Sequence, residues 1–351
     1  MTATISPLSP WFAARGASFH ELDGLSQVLR VSDAGQEYQA AREGLLLADG
    51  ADRAALHMYG KDVLEFLQRL TSNDTRKLEV GGYQWSAMLD GKGHWIADFL
   101  IYRLPDRAEG GVHLLLDMPQ AVAADVAQRI EMSHFTEDVA WEAFTGARLL
   151  LLGPKASGPT EEDCSVQGDH LWLRRPDRGT ICWECLCPPE QGTQLADQLL
   201  AAGAVPGGLV ALDILRVESW RPRFGTDYDT TGILPAANEW QRVSLHKGCY
   251  VGQEVVARIN TYGEAPRQLV RLLFDGPPQP LTGAELHLED RAIGQVSSWV
   301  WSPMRDQAIG LGTVRRKGAI EGQELIAKFA VEQGPGVRAV VELPEKKTDD
   351  S

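Results

Sequence analysis

The sequence has few cysteines, a deficit of basic residues and no long apolar run. Five cysteines, an odd number, fit free thiols in a reducing cytoplasm better than a disulfide framework. The 34 basic and 48 acidic side chains give a net charge of -14, which disfavours nonspecific binding to nucleic acid or to an anionic membrane. No run approaches the roughly 20 apolar residues that span a bilayer, and no signal-peptide pattern is present. We therefore expect a cytoplasmic protein whose direct partners are neither nucleic acids nor membranes.

Common phosphate-binding and catalytic motifs are absent as well. No G-x-x-x-x-G-K-[ST] sequence occurs, and no G-x-G-x-x-G follows a strand and opens a helix, so neither ATP nor a dinucleotide is predicted as a ligand. The eight histidines include no H-E-x-x-H, which leaves a zinc protease without support.

Helical and strand-like segments alternate in blocks, which predicts an α+β fold. A helix is expected at 62–70, where apolar residues share one face, within a segment at 37–79 that has a mostly helical pattern. A β-hairpin is expected at 83–102 around a glycine-containing turn. From residue 268 onward, short alternating runs separated by Gly and Pro predict a small β-barrel.

One cysteine lies in a local sequence that would favour a reactive thiol. Cys249 lies between Gly248 and Gly252 and two residues after Lys247, whose ammonium group would favour the reactive thiolate. Residues 254–259 are compatible with a short helix or a strand. If they are helical, the positive N-terminal end of the helix would also stabilise the thiolate.

A zinc site is the alternative use of the thiols. Cys182, Cys185 and Cys187 include a C-x-x-C step, and Cys164 and Cys249 could complete four ligands. In a strand, however, Cys182 would point to the opposite face from the other two, and no histidine pair lies nearby. No metal site is therefore predicted, and buried thiols are the simpler interpretation.

Two acidic residues, Asp98 and Glu184, interrupt apolar strands. A buried carboxylate is costly unless it is paired, and in such a place it can accept hydrogen bonds from a flat nitrogen heterocycle. The other interpretation is that each strand is half exposed and the acid faces water. The loop at 218–229, which begins with Glu218, is rich in charged, aromatic and glycine residues and suits either a site or a solvated turn.

The segment 247–254, Lys-Gly-Cys-Tyr-Val-Gly-Gln-Glu, resembles the signature of the YgfZ family of folate-binding proteins. That family is a branch of the superfamily that includes the aminomethyltransferase of the glycine cleavage system. Other segments resemble this superfamily: its T-N-D segment at 70–74, its glycine turn and acidic strand at 90–100, its charged loop at 218–227 and its C-terminal barrel at 294–311. The resemblance covers nearly the whole chain.

The resemblance implies an aminomethyltransferase-like folate-binding fold, in which two α+β units and a small C-terminal β-barrel surround a central pocket. The expected domains are a folate-binding region at 10–260, made of two interleaved α+β subdomains, and a β-barrel at 265–344. A disordered tail is expected at 345–351.

The resemblance also implies a function, that of an accessory protein supporting the assembly or repair of iron–sulfur clusters, with indirect effects on tRNA modification. The expected ligand is tetrahydrofolate or a derivative, and the expected partners are iron–sulfur client enzymes or cluster carriers. The implied folate-binding residues are Asp98, Glu184, Asn73 and Glu218. The implied catalytic residues are Cys249, Lys247 and Asp98, and Cys249 would act as a nucleophile, a redox thiol or a transient cluster ligand.

Two departures distinguish the chain from aminomethyltransferases. Ala97 precedes Asp98 where they commonly have a second acid, and Leu212 precedes Asp213 where they typically have an arginine. The alternative function is nevertheless a folate-dependent one-carbon transferase, either an aminomethyltransferase or a demethylase, in which Asp98 assists proton transfer or stabilises a cation. A third possibility is a scaffold without folate affinity.

Overall fold

A computed structural model describes residues 4–22, 24–107, 111–263, 265–329 and 336–344. The tail at 345–351, predicted to be disordered, lies outside the described residues. The α-helices of the described part are α1 (Ser9–Ala13), α2 (Ala34–Glu43), α3 (Val63–Leu70), α4 (Ala123–Ser133), α5 (Pro189–Ala201), α6 (Leu209–Glu218) and α7 (Gln253–Tyr262). None of them is both long enough and apolar enough to cross a membrane.

The strands of the described part are short and mostly antiparallel. The first ten are β1 (Thr4–Ile5), β2 (Ser18–Leu22), β3 (Leu25–Arg30), β4 (Leu46–Asp49), β5 (Arg53–Gly60), β6 (Tyr83–Leu89), β7 (Trp95–Leu104), β8 (Val112–Pro119), β9 (Ala140–Ala143) and β10 (Ala147–Leu152). The others are β11 (Cys164–Gln167), β12 (His170–Arg174), β13 (Cys182–Cys187), β14 (Val205–Pro206), β15 (Arg267–Phe274), β16 (Glu285–Leu288), β17 (Arg291–Ser302), β18 (Gln307–Arg315), β19 (Glu324–Lys328) and β20 (Val337–Glu342).

Local sequence patterns account for α3 and for the hairpin. Helix α3 buries Val63, Phe66 and Leu67 on one face, as the apolar spacing predicts. Strands β6 and β7 pair antiparallel, and the Asp90 carboxylate closes their turn by accepting hydrogen bonds from the backbone N–H groups of Lys92 and His94 at 2.8 Å. Both predictions are confirmed.

The mostly helical pattern expected for 37–79 is wrong at β4 and β5. Strand β4 pairs with β10 and β14, and β5 pairs with β8 and β9, all of which come later in the chain. Pairing with distant strands therefore decides the conformation of these residues, since strand preference depends strongly on tertiary context.

The described chain forms two compact units. The first contains residues 1–212 and 241–254 and the second residues 213–240 and 255–351, counted over the whole chain. The first unit holds a five-stranded sheet in the order β6-β7-β8-β5-β9 and a six-stranded sheet in the order β11-β12-β13-β10-β4-β14, with the small sheet β1-β3-β2.

The second unit contains a closed six-stranded barrel in the order β15-β18-β17-β16-β19-β20. Alternate residues of β15, Val270, Leu272 and Phe274, are buried in its core, as the two-residue period of a strand requires. The predicted α+β class and the C-terminal barrel are confirmed.

Candidate functional site

The segment that carries Cys249 belongs to the first unit and packs on the β6–β7 hairpin. The Ser72 hydroxyl donates to the carbonyl oxygen of Arg242 (2.6 Å), and the N–H of Ser244 donates to the carbonyl oxygen of Ser72 (3.1 Å). Gly252 has φ +85°, and a Cβ there would lie 2.6 Å from the carbonyl oxygen of Asp90. Glycine is therefore required where this segment approaches the hairpin turn.

Lys247 anchors the segment to the end of α3. Its Nζ donates to the carbonyl oxygens of Gln68 (2.7 Å), Thr71 (2.6 Å) and Asn73 (2.9 Å), which lie at and just beyond the helix C-terminus. Burial lowers the pKa of Lys247 from 10.5 to about 8, so the side chain remains largely charged at neutral pH. With these three acceptors, Lys247 holds the turn in place, and its role in tuning Cys249 stays a prediction.

Asn73 lies in the same turn. Its side-chain Nδ2 donates to the carbonyl oxygens of Trp85 (2.7 Å) and Gln241 (3.2 Å), and its Oδ1 accepts from the backbone N–H of Asp74 (2.9 Å). The structure thus brings Asn73 and Lys247 together as predicted site residues. Because these contacts engage both ends of the amide, folate binding by Asn73 stays a prediction.

Cys249 is exposed, whereas Cys164, Cys182, Cys185 and Cys187 are buried. The residues after it form α7, which begins at Gln253, four residues beyond the thiol. In the described part of the chain, no group of three or more His, Cys, Asp or Glu side chains is arranged to hold a metal ion.

The difference in exposure predicts selective alkylation. Treating the native protein with iodoacetamide should modify Cys249 alone, and all five cysteines should react after unfolding in denaturant, because a buried thiol does not meet the reagent. Peptide mass spectrometry locates the label. Modification of Cys185 or Cys187 in the native protein, at a rate like that of Cys249, would contradict the burial of β13.

Asp98 is buried in β7, with 4% of its surface exposed. Its carboxylate pairs with Arg242 (2.9 Å) and with Arg53 (3.3 Å). Arg242 is itself fixed, because it donates to the carbonyl oxygen of Phe99 (3.0 Å) and stacks 4.5 Å from the centre of the Trp85 ring. The Asp98 carboxylate is therefore a negative charge held in one orientation.

Glu184 is fully buried in β13. Its Oε1 accepts from Arg148 (2.8 Å), and its Oε2 accepts from Arg175 (2.6 Å) and from Arg148 (3.0 Å). A Cβ on Gly50 would lie 2.4 Å from Glu184 Oε1, so only glycine leaves room for this carboxylate. The water-facing interpretation of Asp98 and Glu184 is therefore wrong. Contact of either carboxylate with a pterin stays a prediction. A carboxylate that bound a pterin would have to accept hydrogen bonds from the pterin and from its arginine partners at the same time.

Among the described residues, both acids belong to one mostly buried network of ion pairs between acidic residues and arginines. Its members include Asp52, Arg53, Asp98, Asp117, Arg148, Arg175, Asp177, Arg178, Glu184 and Arg242. At its centre, Asp117 accepts from Arg53, Arg148 and Arg175. Burial alone would raise the pKa of Asp117, but these arginines hold it far below its usual value.

Sequence reasoning missed most of this network. Asp117 and Arg148 interrupt the apolar strands β8 and β10 in the same way that Asp98 interrupts β7, so the same signal would have found them. Arg242 lies in a short 3-10 turn, and nothing in its local sequence indicates that it pairs with Asp98.

Glu218 belongs to the second unit, unlike the other predicted site residues. It accepts a hydrogen bond from the Ser302 hydroxyl of the barrel, and its carbonyl oxygen accepts from Arg271 (2.9 Å). These contacts attach the end of α6 to the barrel, and folate binding by Glu218 stays a prediction.

Comparison with known proteins identifies two domains. The family model of the GCVT N-terminal domain matches residues 8–165, and that of the glycine cleavage T-protein C-terminal barrel domain matches residues 267–342. The aminomethyltransferase of Thermosynechococcus vestitus is 28% identical over 95% of this chain and 93% of its own length. That of Halalkalibacterium halodurans is 28% identical over 92% of each chain.

The same fold occurs in a crystal structure, that of the glycine cleavage system aminomethyltransferase T from Bartonella henselae. It superposes with a TM-score of 0.88 over 97% of each chain, at 21% sequence identity. These comparisons correct the function expected from the sequence. A role in iron–sulfur cluster assembly or repair, with client enzymes or cluster carriers as partners, is wrong, because the relatives that match nearly the whole chain are named aminomethyltransferase. The chain therefore matches the GCVT N-terminal domain and the glycine cleavage T-protein C-terminal barrel domain over two separate regions, and it has the fold of an aminomethyltransferase.

Proposed function

We propose that the protein is a folate-dependent one-carbon transferase that moves the carbon of an aminomethyl group to tetrahydrofolate. One observation carries the proposal: relatives named aminomethyltransferase match 91% to 98% of the chain at 26% to 28% identity. Under this proposal, the YgfZ-like sequence at 247–254 is a local sequence variation within a transferase.

The chemistry favours an aminomethyl donor over a methylamine. When an aminomethyl carbon is bonded to nitrogen and to sulfur, it already has the oxidation level of formaldehyde. Two new bonds to the nitrogens of tetrahydrofolate replace the carbon–nitrogen and carbon–sulfur bonds, and ammonium and a thiol leave. No oxidant is needed. Demethylation of a methylamine to the same product would require a two-electron oxidant, and this disfavours the demethylase alternative.

Asp98 is the group we assign to the reacting carbon. Transfer passes through a carbon that is bonded to nitrogen and carries positive charge, and a carboxylate held in one orientation stabilises such a charge without reorganising. Arg53 and Arg242 provide that fixed orientation. Asp98 would also accept a proton as the amine reacts. Glu184, Asn73 and Glu218 remain the predicted folate-binding residues, and Cys249 and Lys247 the further predicted catalytic residues.

Turnover tests the proposal. Purified full-length protein is mixed with tetrahydrofolate and an aminomethyl thioether prepared from formaldehyde, ammonium and a small thiol. Methylene-tetrahydrofolate and ammonium should form in equal amounts and faster than without protein. Omitting tetrahydrofolate should abolish ammonium release above the background. If neither product exceeds the protein-free rate at any donor concentration, the transferase function is excluded for this donor class, and tetrahydrofolate titration by calorimetry then decides whether the protein binds folate at all.

A further inference from the structure

Two arginines hold the Asp98 carboxylate in different ways. Arg53 places one guanidinium nitrogen 3.3 Å from Asp98, but two other nitrogens of the same group contact Asp117, through its carboxylate and its carbonyl oxygen (3.0 Å). Arg242 approaches the Asp98 carboxylate more closely, at 2.9 Å. Since Arg53 is shared with Asp117, the position of Arg242 chiefly decides how the Asp98 carboxylate is oriented.

Ser72 ties the main chain of Arg242 to the β6–β7 hairpin. Its fully buried hydroxyl donates to the carbonyl oxygen of Arg242 (2.6 Å) and accepts from the N–H of Ala87 (2.9 Å). The N–H of Ser72 in turn donates to the carbonyl oxygen of Ala87 (2.8 Å). Ala87 is the residue of β6 that pairs with Asp98 of β7. The main chain of Arg242 is therefore anchored at the position of the hairpin where Asp98 lies.

Lys247 fixes the turn to which Ser72 belongs. Two of its acceptors are the carbonyl oxygens of Thr71 (2.6 Å) and Asn73 (2.9 Å), the residues on either side of Ser72. The third is the carbonyl oxygen of Gln68 (2.7 Å) near the end of α3. The ammonium group holds three carbonyl oxygens around one point, and each would lose this donor if the side chain were neutral and apolar. The conformation of the turn therefore depends on Lys247.

We propose that Lys247 is a positioning residue for Asp98. By fixing the turn at 71–73, Lys247 sets the place of Ser72. Ser72 then holds the main chain of Arg242, whose guanidinium group orients the Asp98 carboxylate. The inference rests on the proposed transferase function, because it assigns the effect of this anchoring to a reaction at Asp98. It gives the lysine a role that does not pass through the neighbouring thiol.

Steady-state kinetics of one-carbon transfer by the full chain test the proposal. Lys247→Met keeps an unbranched side chain of similar length and removes the three N–H donors. We expect kcat to fall about tenfold, because a small displacement of a reacting group slows the chemical step, whereas KM for the donor should change by less than about twofold. The matched control is Lys61→Met, in which an exposed lysine before α3 is replaced and kcat should equal that of wild type.

A double-mutant cycle shows whether the effect of Lys247 passes through Asp98. In the Asp98→Asn background, Lys247→Met should lower kcat by less than about twofold, since the carboxylate that the lysine positions is already absent. An undiminished tenfold loss in that background overturns the proposal, and so does a wild-type kcat in Lys247→Met alone. If Lys247→Met does not fold, Ser72→Ala, which breaks the next contact, takes its place in the cycle with the same expectations.

The melting temperatures of the same variants separate this proposal from the transferase function. Lys247→Met and Asp98→Asn should each lower the melting temperature, and the double variant should lose less than the sum of the two decreases, because both changes act on one connected set of contacts. Additive decreases overturn the connection between Lys247 and Asp98. If wild-type protein forms no methylene-tetrahydrofolate, the transferase function fails, and this second cycle alone decides whether Lys247 positions the carboxylate.

Discussion

Replacing Asp117 by asparagine should lower the free energy of unfolding by about 3–5 kcal/mol, because the change leaves buried charges without their partner. The Asp117 side chain is fully buried and accepts from three arginines of the network. Asparagine has nearly the same shape, but it is neutral, and its NH₂ group would face guanidinium donors. The network would then carry an uncompensated positive charge in the interior of the first unit.

Urea unfolding followed by circular dichroism measures the effect. The matched control is Asp125→Asn, in which an exposed acid on α4 loses the same charge and the free energy of unfolding should change by about 0.5 kcal/mol or less. A loss for Asp117→Asn no larger than for this control would show that the ion network contributes nothing to stability.

Replacing Asp98 by asparagine should lower kcat for one-carbon transfer by about 100-fold to 10,000-fold, the usual contribution of a positioned acid–base group. Asparagine can occupy the same position beside Arg242 and Arg53, but it neither accepts a proton nor stabilises a developing positive charge. Because the effect concerns the transition state, KM for the donor should change much less than kcat.

The comparison requires protein that is shown to be folded, since Asp98→Asn also removes an ion pair. Circular dichroism and the melting temperature establish the folded state, and assays are made well below the melting temperature of the variant. The control Asp125→Asn should keep wild-type kcat. If the folded Asp98→Asn protein had a kcat within about threefold of wild type, Asp98 would have no catalytic role in the transfer.

Local patterns were sufficient for several elements and insufficient for others. The apolar spacing of α3 and the turn of the β6–β7 hairpin are signals within about ten to twenty residues, so they could be predicted. Strands β4 and β5 lie in the segment for which the sequence pattern predicts mostly helix, and the strands that pair with them lie far along the chain. The conformation of β4 and β5 follows from pairing with those distant strands, which no local sequence pattern reveals.

The candidate site was likewise predictable in part from local sequence and in part only from the folded structure. The sequence identified Asp98 and Glu184 as acids in apolar strands, but not whether they were buried or what neutralised them. Arg242 is 144 positions from Asp98, and Arg148 is 36 positions from Glu184, so only the folded chain brings these charges together.

By itself, the sequence determined the α+β class, the C-terminal barrel and the resemblance to the superfamily of the glycine cleavage aminomethyltransferase, because these depend on periodicity, turn residues and short motifs that neighbouring residues carry together. It misassigned the function within that superfamily, because one cysteine motif outweighed a similarity spread over the whole chain. Only the tertiary structure decided that Lys247 caps α3 and that Asp98 and Glu184 are paired with arginines. The physical reason is that burial and ion pairing depend on distances in space, which strand pairing sets between residues far apart in the chain.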